Sequence, residues 1–312
     1  MITPGVSSVL ACNVPVFRYA LERWLPDNYV LTVPETPTNL LEALRTAPLN
    51  LEVAAGPVTN AILYLPQSDT NMPPLWTGAF TADNIRSLVD SPARRAIVRH
   101  IQHGASVVWV LLESGDAKAD AATARILESE LARQTQQLRM PEVDPDDPRT
   151  ADNAHLKIAF PTVRVTPNDP AEQLLTAMVS GSDTNLPAVV PVFGRGRALG
   201  RFSGKELTAA TIGDAAVFLC GACSCEIKVQ NPGWDLLIAV DWDALIDNPV
   251  VKDPELPPLI SLSETVATPR PAPGPPVSTP VSGGSLPRHL LIVISILVLV
   301  VVAGTAIVRR KP

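Results

Sequence analysis

From residue 15 to residue 219, short apolar runs alternate with segments whose apolar positions recur every three or four residues, the pattern of an α/β chain. Helices are expected over 15–25, 39–47, 81–89, 91–104, 118–138, 169–180 and 208–219, and strands over 28–33, 61–65, 75–77, 106–112, 156–166, 189–193 and 198–202. Local signals fix several of the ends. Thr81 and the pair Ser91-Pro92 read as helix starts, Gly104 as a stop, and Asp169-Pro170-Ala171-Glu172 has the layout of a capping box. The run SVVWVLL at 106–112 has no polar alternation, as in a strand buried on both faces. With a further strand over 6–11, each half reads β-α-β-α-β-β-α.

The pattern changes beyond residue 246. From Leu290 to Val308 the chain runs LLIVISILVLVVVAGTAIV without a charge, and 19 residues of helix span roughly 28 Å, close to a bilayer's hydrocarbon core. This predicts a single transmembrane helix, with the lipid bilayer as its partner. Arg309, Arg310 and Lys311 follow it directly, which places the short C-terminal tail in the cytoplasm and the body outside. Residues 1–11 lack a basic, strongly apolar export signal, so two readings stay open: a remnant of such a signal, or a tail-anchored protein with its domains in the cytosol. Between body and span, residues 247–287 hold eleven prolines. In polyproline II geometry the twenty residues 266–285 reach roughly 60 Å, a stalk.

Composition sharpens this division. Prolines number 32 in 312 residues, about twice the usual share, and the excess is concentrated in the stalk. Outside Arg288 and the three terminal cations, 21 basic residues face 31 acidic ones, so nucleic acid is excluded as a partner of residues 1–287. The resulting organisation is 1–11 (signal remnant or first strand), 12–104, 105–246, stalk 247–289, span 290–308 and basic tail 309–312.

In the second half, Leu186-Pro187-Ala188-Val189-Val190-Pro191-Val192-Phe193-Gly194-Arg195-Gly196-Arg197 places proline before a strand, an aromatic late in it and glycine at the following turn. With the element order, this resembles the thioredoxin-like fold, which carries a cis-proline at that place, and it implies two tandem thioredoxin-like domains over 12–104 and 105–246. The segment ACNVPVFRYALERW at 11–24, together with Gly221-Ala222-Cys223-Ser224-Cys225 and Asn231-Pro232-Gly233, resembles a family of exported bacterial proteins of uncharacterised function. In that family the cysteine closely follows an export signal, which implies the outside orientation and a truncated N-terminus.

Candidate chemistry centres on four cysteines, Cys12, Cys220, Cys223 and Cys225. Cys12 precedes a helix start, where free N–H groups favour a thiolate, the place of a thioredoxin's attacking cysteine. Its resolving partner is missing, since Pro15 stands three residues on, and the second half has Glu113-Ser114-Gly115-Asp116-Ala117 where the dithiol belongs. Structural disulfides among the four are one expectation; redox use of Cys12 with Cys223 or Cys225 is another. Arg195 and Arg197 are anion-binding candidates, set against an alternative hairpin turn with exposed arginines. His100 and His103, three apart beside Arg94, Arg95 and Arg99, read as a metal pair or, alternatively, a solvated basic face. Asp235, Asp241 and Asp243 around Trp234 and Trp242 suggest calcium or carbohydrate, or simply acids flanking a buried strand.

No phosphate loop, dinucleotide fingerprint or serine elbow is present, and no cofactor is implied. The expectation is a membrane-anchored binding or scaffold protein of the bacterial cell envelope, acting on an envelope protein partner. A thiol–disulfide factor and a metal-binding envelope protein are the alternatives.

Overall fold

The alternating runs assemble into two mixed sheets. The computed structural model describes residues 13–35, 39–66, 73–145, 150, 155–180, 183–223 and 227–246. The expected strand at 6–11, Cys12, Cys225, the stalk, the span and the basic tail lie outside the described residues. No helix among the described residues is long and apolar enough to cross a membrane.

The first sheet contains β1 (Tyr29–Pro34), β2 (Leu51–Gly56), β3 (Ala61–Tyr64) and β4 (Trp76–Gly78) in the order β2-β1-β3-β4. Helix α2 (Asn39–Thr46) makes the crossover that lets β2 lie parallel to β1, and β3 and β4 add antiparallel. Strand β2 was not expected. Its sequence, LEVAAG, is weak in β-branched residues, and it forms by pairing along β1 from Tyr29↔Leu51 to Pro34↔Gly56.

The second sheet contains β5 (Val108–Leu112), β6 (Thr162–Val165), β7 (Ala188–Phe193), β8 (Arg197–Ala198) and β10 (Trp234–Asp235), in the order β10-β8-β7-β5-β6, with β9 (Phe202–Ser203) also on β7. Strand β6 is parallel to β5, while β7 is antiparallel to it. The expected strand at 156–166 shortens to its last four paired residues, behind Pro161, and the one at 198–202 divides into β8 and β9. The Leu186–Pro187 peptide bond is cis.

Strand β5 joins two cores. Val108, Val110 and Leu112 face a cluster that includes Tyr29, Leu31 and Leu63 of the first sheet and Ile85, Leu88, Ile97 and Ile101 of α3 (Ala82–Val89) and α4 (Pro92–Gln102). Trp109 and Leu111 face the other cluster, formed with α1 (Val16–Arg23), α5 (Ala117–Gln137) and α7 (Ala209–Cys220). Helix α1 therefore belongs to the helical layer of the second sheet, although the sequence order grouped it with the first half. Its Val16, Phe17 and Ala20 are buried there.

The caps at Thr81 and Ser91 form as expected, accepting from Asn84 N–H at 3.4 Å and Arg94 N–H at 3.3 Å. The capping box at Asp169 does not. Asp169 accepts from Ala171 N–H at 2.9 Å and starts a short 3-10 turn, while Glu172, only 4% exposed, turns inward to accept from Ala93 N–H at 2.6 Å. Glu172 thus serves the start of α4 rather than its own helix. Helix α6 (Gln173–Ser180) follows the turn.

Residues 234–238 fasten the two sheets together through nearly every polar group they carry. Trp234 Nε1 donates to Met178 O at 3.0 Å, Leu236 N–H to Gly196 O at 3.0 Å, and Asp235 O accepts from the Tyr29 hydroxyl at 2.9 Å. The Asn50 side chain spans Leu236 O and Ile238 N–H at 3.1 Å each, and Arg94 Nη1 reaches Leu237 O at 3.1 Å. The Asp235 carboxylate, itself buried, meets Arg197, Lys228 and the N–H of Asp27. Removing one member of such a network strands the remaining charges in a dry site, which costs about 3–5 kcal/mol. Asp235→Ala should lower the urea-unfolding free energy by about that amount, whereas Asp241→Ala, which removes only an exposed helix cap, should cost about 1 kcal/mol.

Candidate functional site

Of the sequence candidates, all but Cys12 and Cys225 lie among the described residues and can be placed against this frame. The turn Gly194 to Arg197 connects β7 to β8 with both glycines at positive φ, +56° and +84°, and a Cβ on Gly196 would lie 2.5 Å from Ile238 Cδ1. Arg195 and Arg197 are 6% and 5% exposed, so the reading of exposed arginines is corrected. Their donors point at protein acceptors. Arg195 binds Leu21 O at 2.8 Å and the Asp243 carboxylate at 2.7 Å. Arg197 binds Pro232 O, Asn231 O, Gly233 O and Asp235, and its guanidinium lies 5.9 Å from the centre of the Trp24 ring. An oppositely charged lattice replaces the anion cradle because the acidic segment 235–243 folds back over the turn. Asp241 caps α8 (Trp242–Leu245) by accepting from Ala244 N–H at 3.0 Å.

His103 is exposed with Nδ1 2.6 Å from Arg99 O, and among the described residues no group of three or more His, Cys, Asp or Glu side chains could hold a metal ion. The basic face loses one member: Arg94 is 2% exposed, with its donors on Ser91, Leu88, Leu237 and Ser87.

Cys220 ends α7 inside the helical core, and burial pushes its thiol up to about 12. Cys223 is also buried. Its N–H donates to Val14 O at 2.9 Å, Val16 N–H donates to Gly221 O at 3.0 Å, and Pro15 bridges Ala222, so residues 14–16 run antiparallel to 221–223. Asn13 alone separates Cys12 from this ladder in sequence.

The turn from β5 into α5 occupies the place beside Pro187, because Leu112 pairs with Ala188. Asp120 closes it, accepting from Ser114 N–H and Oγ at 2.8 Å each and from Gly115 N–H at 3.0 Å. Asp116 takes the N–H groups of Lys118 at 2.9 Å and Ala119 at 3.1 Å. Burial raises the Asp120 carboxyl, but the Ser114 and Gly115 hydrogen bonds and the charge of Arg164 together hold it below the usual carboxylate range. The helix is thus capped by Asp116 and the turn before it is closed by Asp120.

What the sequence did not suggest is a cleft of about 550 Å³ at the edge of the 234–238 segment. Leu65, Pro66, Met178, Val179 and Trp234 give it apolar walls, and Asp27 and Ser180 add polar groups. At one side lies a linked set in which Asp183 accepts from Ser203 Oγ at 2.7 Å and Asn185 N–H at 2.9 Å and pairs with Arg201. Hydrogen bonds from Ser203 and Asn185 hold the Asp183 carboxyl below its usual range despite the cost of burial, with Arg201 assisting. Apolar walls with a few fixed polar groups are the make-up of a binding site. Its lining comes from five separate chain segments, which leaves no local motif to read.

No family model, curated protein or solved structure matches the chain.

Two outcomes follow from these environments. In a chain carrying Cys12→Ser, Cys223→Ser and Cys225→Ser, Cys220 should resist a thiol reagent at about pH 8 and react only after unfolding, as read by dye release. Asp120 has a lowered folded-state pKa, so its stabilisation is complete above the unfolded value of about 4 and is lost as pH falls through the folded value. Asp120→Asn should therefore lower the urea midpoint at neutral pH and flatten its fall at acid pH.

Proposed function

We propose that this chain is a non-catalytic binding protein of the bacterial cell envelope, built on two thioredoxin-like modules and held at the membrane by its C-terminal apolar run. Support for the modules comes from strand order. Numbered within each module, both sheets run second-first-third-fourth, as β2-β1-β3-β4 and as β6-β5-β7-β8, with the first two strands parallel. The first module has no helix between its second and third strands, which are joined by only four residues. Pro187 stands directly before β7, as the resemblance implies.

The observation that carries the non-catalytic reading is the β5–α5 turn. A thioredoxin-type enzyme uses the free N–H groups of that helix start to hold a thiolate; here Asp116 takes those of Lys118 and Ala119, Asp120 takes those of Ser114 and Gly115 in the turn before it, and the turn has no cysteine. The cleft beside Trp234 supplies the binding surface. Envelope placement rests on the uncharged run 290–308 and the cations after it.

One observation favours the redox alternative: the hydrogen bond between Cys223 and Val14 brings the chain two residues after Cys12 and the chain two residues before Cys225 to a common ladder. It equally suits a structural disulfide from Cys12. Reduction of insulin by dithiothreitol separates the two readings. The full chain in non-ionic detergent should leave the rate at the protein-free value; an acceleration that disappears with Cys12→Ser would overturn the binding-protein reading in favour of thiol–disulfide exchange.

A further inference from the structure

A second hollow, of about 180 Å³, lies between the end of α3 and one face of α4 and shares no lining residue with the cleft. Its floor and far wall are apolar, from Val89, Val98, Ile238 and Ala239. The charged lining is Arg94, Arg95 and Arg99 against a single carboxylate, Asp90. Three guanidinium groups to one acid is an inversion of the whole chain, whose formal net charge is −6.

The three arginines are not equivalent. Arg94 is buried beneath the hollow with its donors on backbone oxygens and Ser91, so it contributes charge. Arg95 is ion-paired with Asp90. Arg99 lies one helical turn beyond Arg95 on the same face, is exposed, and makes no ion pair among the described residues. Like charges one turn apart repel. An anion placed between them turns that repulsion into two charge-assisted contacts.

Burial depresses His100, and the charges of Arg99 and His103 depress it further. Burial brings Arg94 down to about 10, while Glu172, Asp90 and Tyr29 support its charge against that cost.

We infer that this hollow is a binding site for a small organic oxyanion, a carboxylate or phosphate ester whose charged group meets Arg99 and Arg95 and whose apolar part rests on Val89, Val98 and Ile238. The space equals about six water volumes, enough for an oxyanion with a short hydrocarbon substituent. The site is independent of the Trp234 cleft and of any role of the cysteines.

The test uses the full chain in non-ionic detergent with isotope-labelled histidine, whose four ring signals are followed by NMR while butyrate, inorganic phosphate or chloride is added at constant ionic strength. Binding of an anion near Arg99 favours the protonated ring, so the His100 pKa should rise, saturably with butyrate and phosphate and not with chloride. Butyrate exceeding phosphate would identify the apolar floor as part of the site. Arg99→Gln raises the His100 value on its own by removing a cation, so the quantity read is the anion-induced change. That change should require about tenfold more butyrate in Arg99→Gln and recover in Arg99→Lys. A His100 response identical for all three anions, or one that Arg99→Gln leaves intact with the amide spectrum unaltered, overturns the proposal.

Discussion

The buried charge of Asp235 is the constraint on which the arrangement of the two sheets depends. A carboxylate with so little access to water must be met by cations and donors, and these come from distant parts of the chain: Arg197 from β8, Lys228 from the segment before β10, and the N–H of Asp27 before β1. Each brings further ties. Lys228 also donates to Leu25 O at 2.6 Å, and Arg197 binds three carbonyl oxygens at 231–233. The start of the first sheet and the edge of the second are therefore registered by polar directionality, which apolar packing alone would not specify. Whether that placement adds net stability is a separate matter, since the desolvation of buried ions offsets much of their attraction.

Apolar packing then divides along β5. Because successive residues point to opposite sides, one five-residue strand supplies side chains to both cores. The helical layer of α1, α5 and α7 closes one side, and α3, α4 and the first sheet close the other. At the start of α5 the backbone N–H groups are drawn into internal hydrogen bonds, those of Lys118 and Ala119 by Asp116 and those of Ser114 and Gly115 by Asp120.

Features controlled by nearest neighbours were legible in the sequence. Thr81 and Ser91 cap the helices they precede, and SVVWVLL forms a strand buried on both faces. Features controlled by distant partners were not. LEVAAG becomes β2 only because β1 offers a paired edge; Glu172 abandons its own helix for Ala93; Arg195 and Arg197 go inside because Asp243 and Asp235 arrive from forty residues further on. Spacing patterns report which side of an element is apolar, and they are silent about a charge whose counter-charge folds in from elsewhere. The cleft at Trp234 was invisible for the same reason, being assembled from residues 27, 65–66, 178–180, 183, 201 and 233–235.

Helix α8 is the last described element before the proline-rich segment. Its Trp242 is part of the core shared by both sheets, its start is tied by Asp241, and Asp243 is tied to Arg195 at the β7–β8 turn. Mechanically, tension arriving from residue 247 onward is therefore taken up at a buried indole and an ion pair on the central sheet, before any edge strand bears load. A chain fastened in this way resists peeling from its C-terminal end.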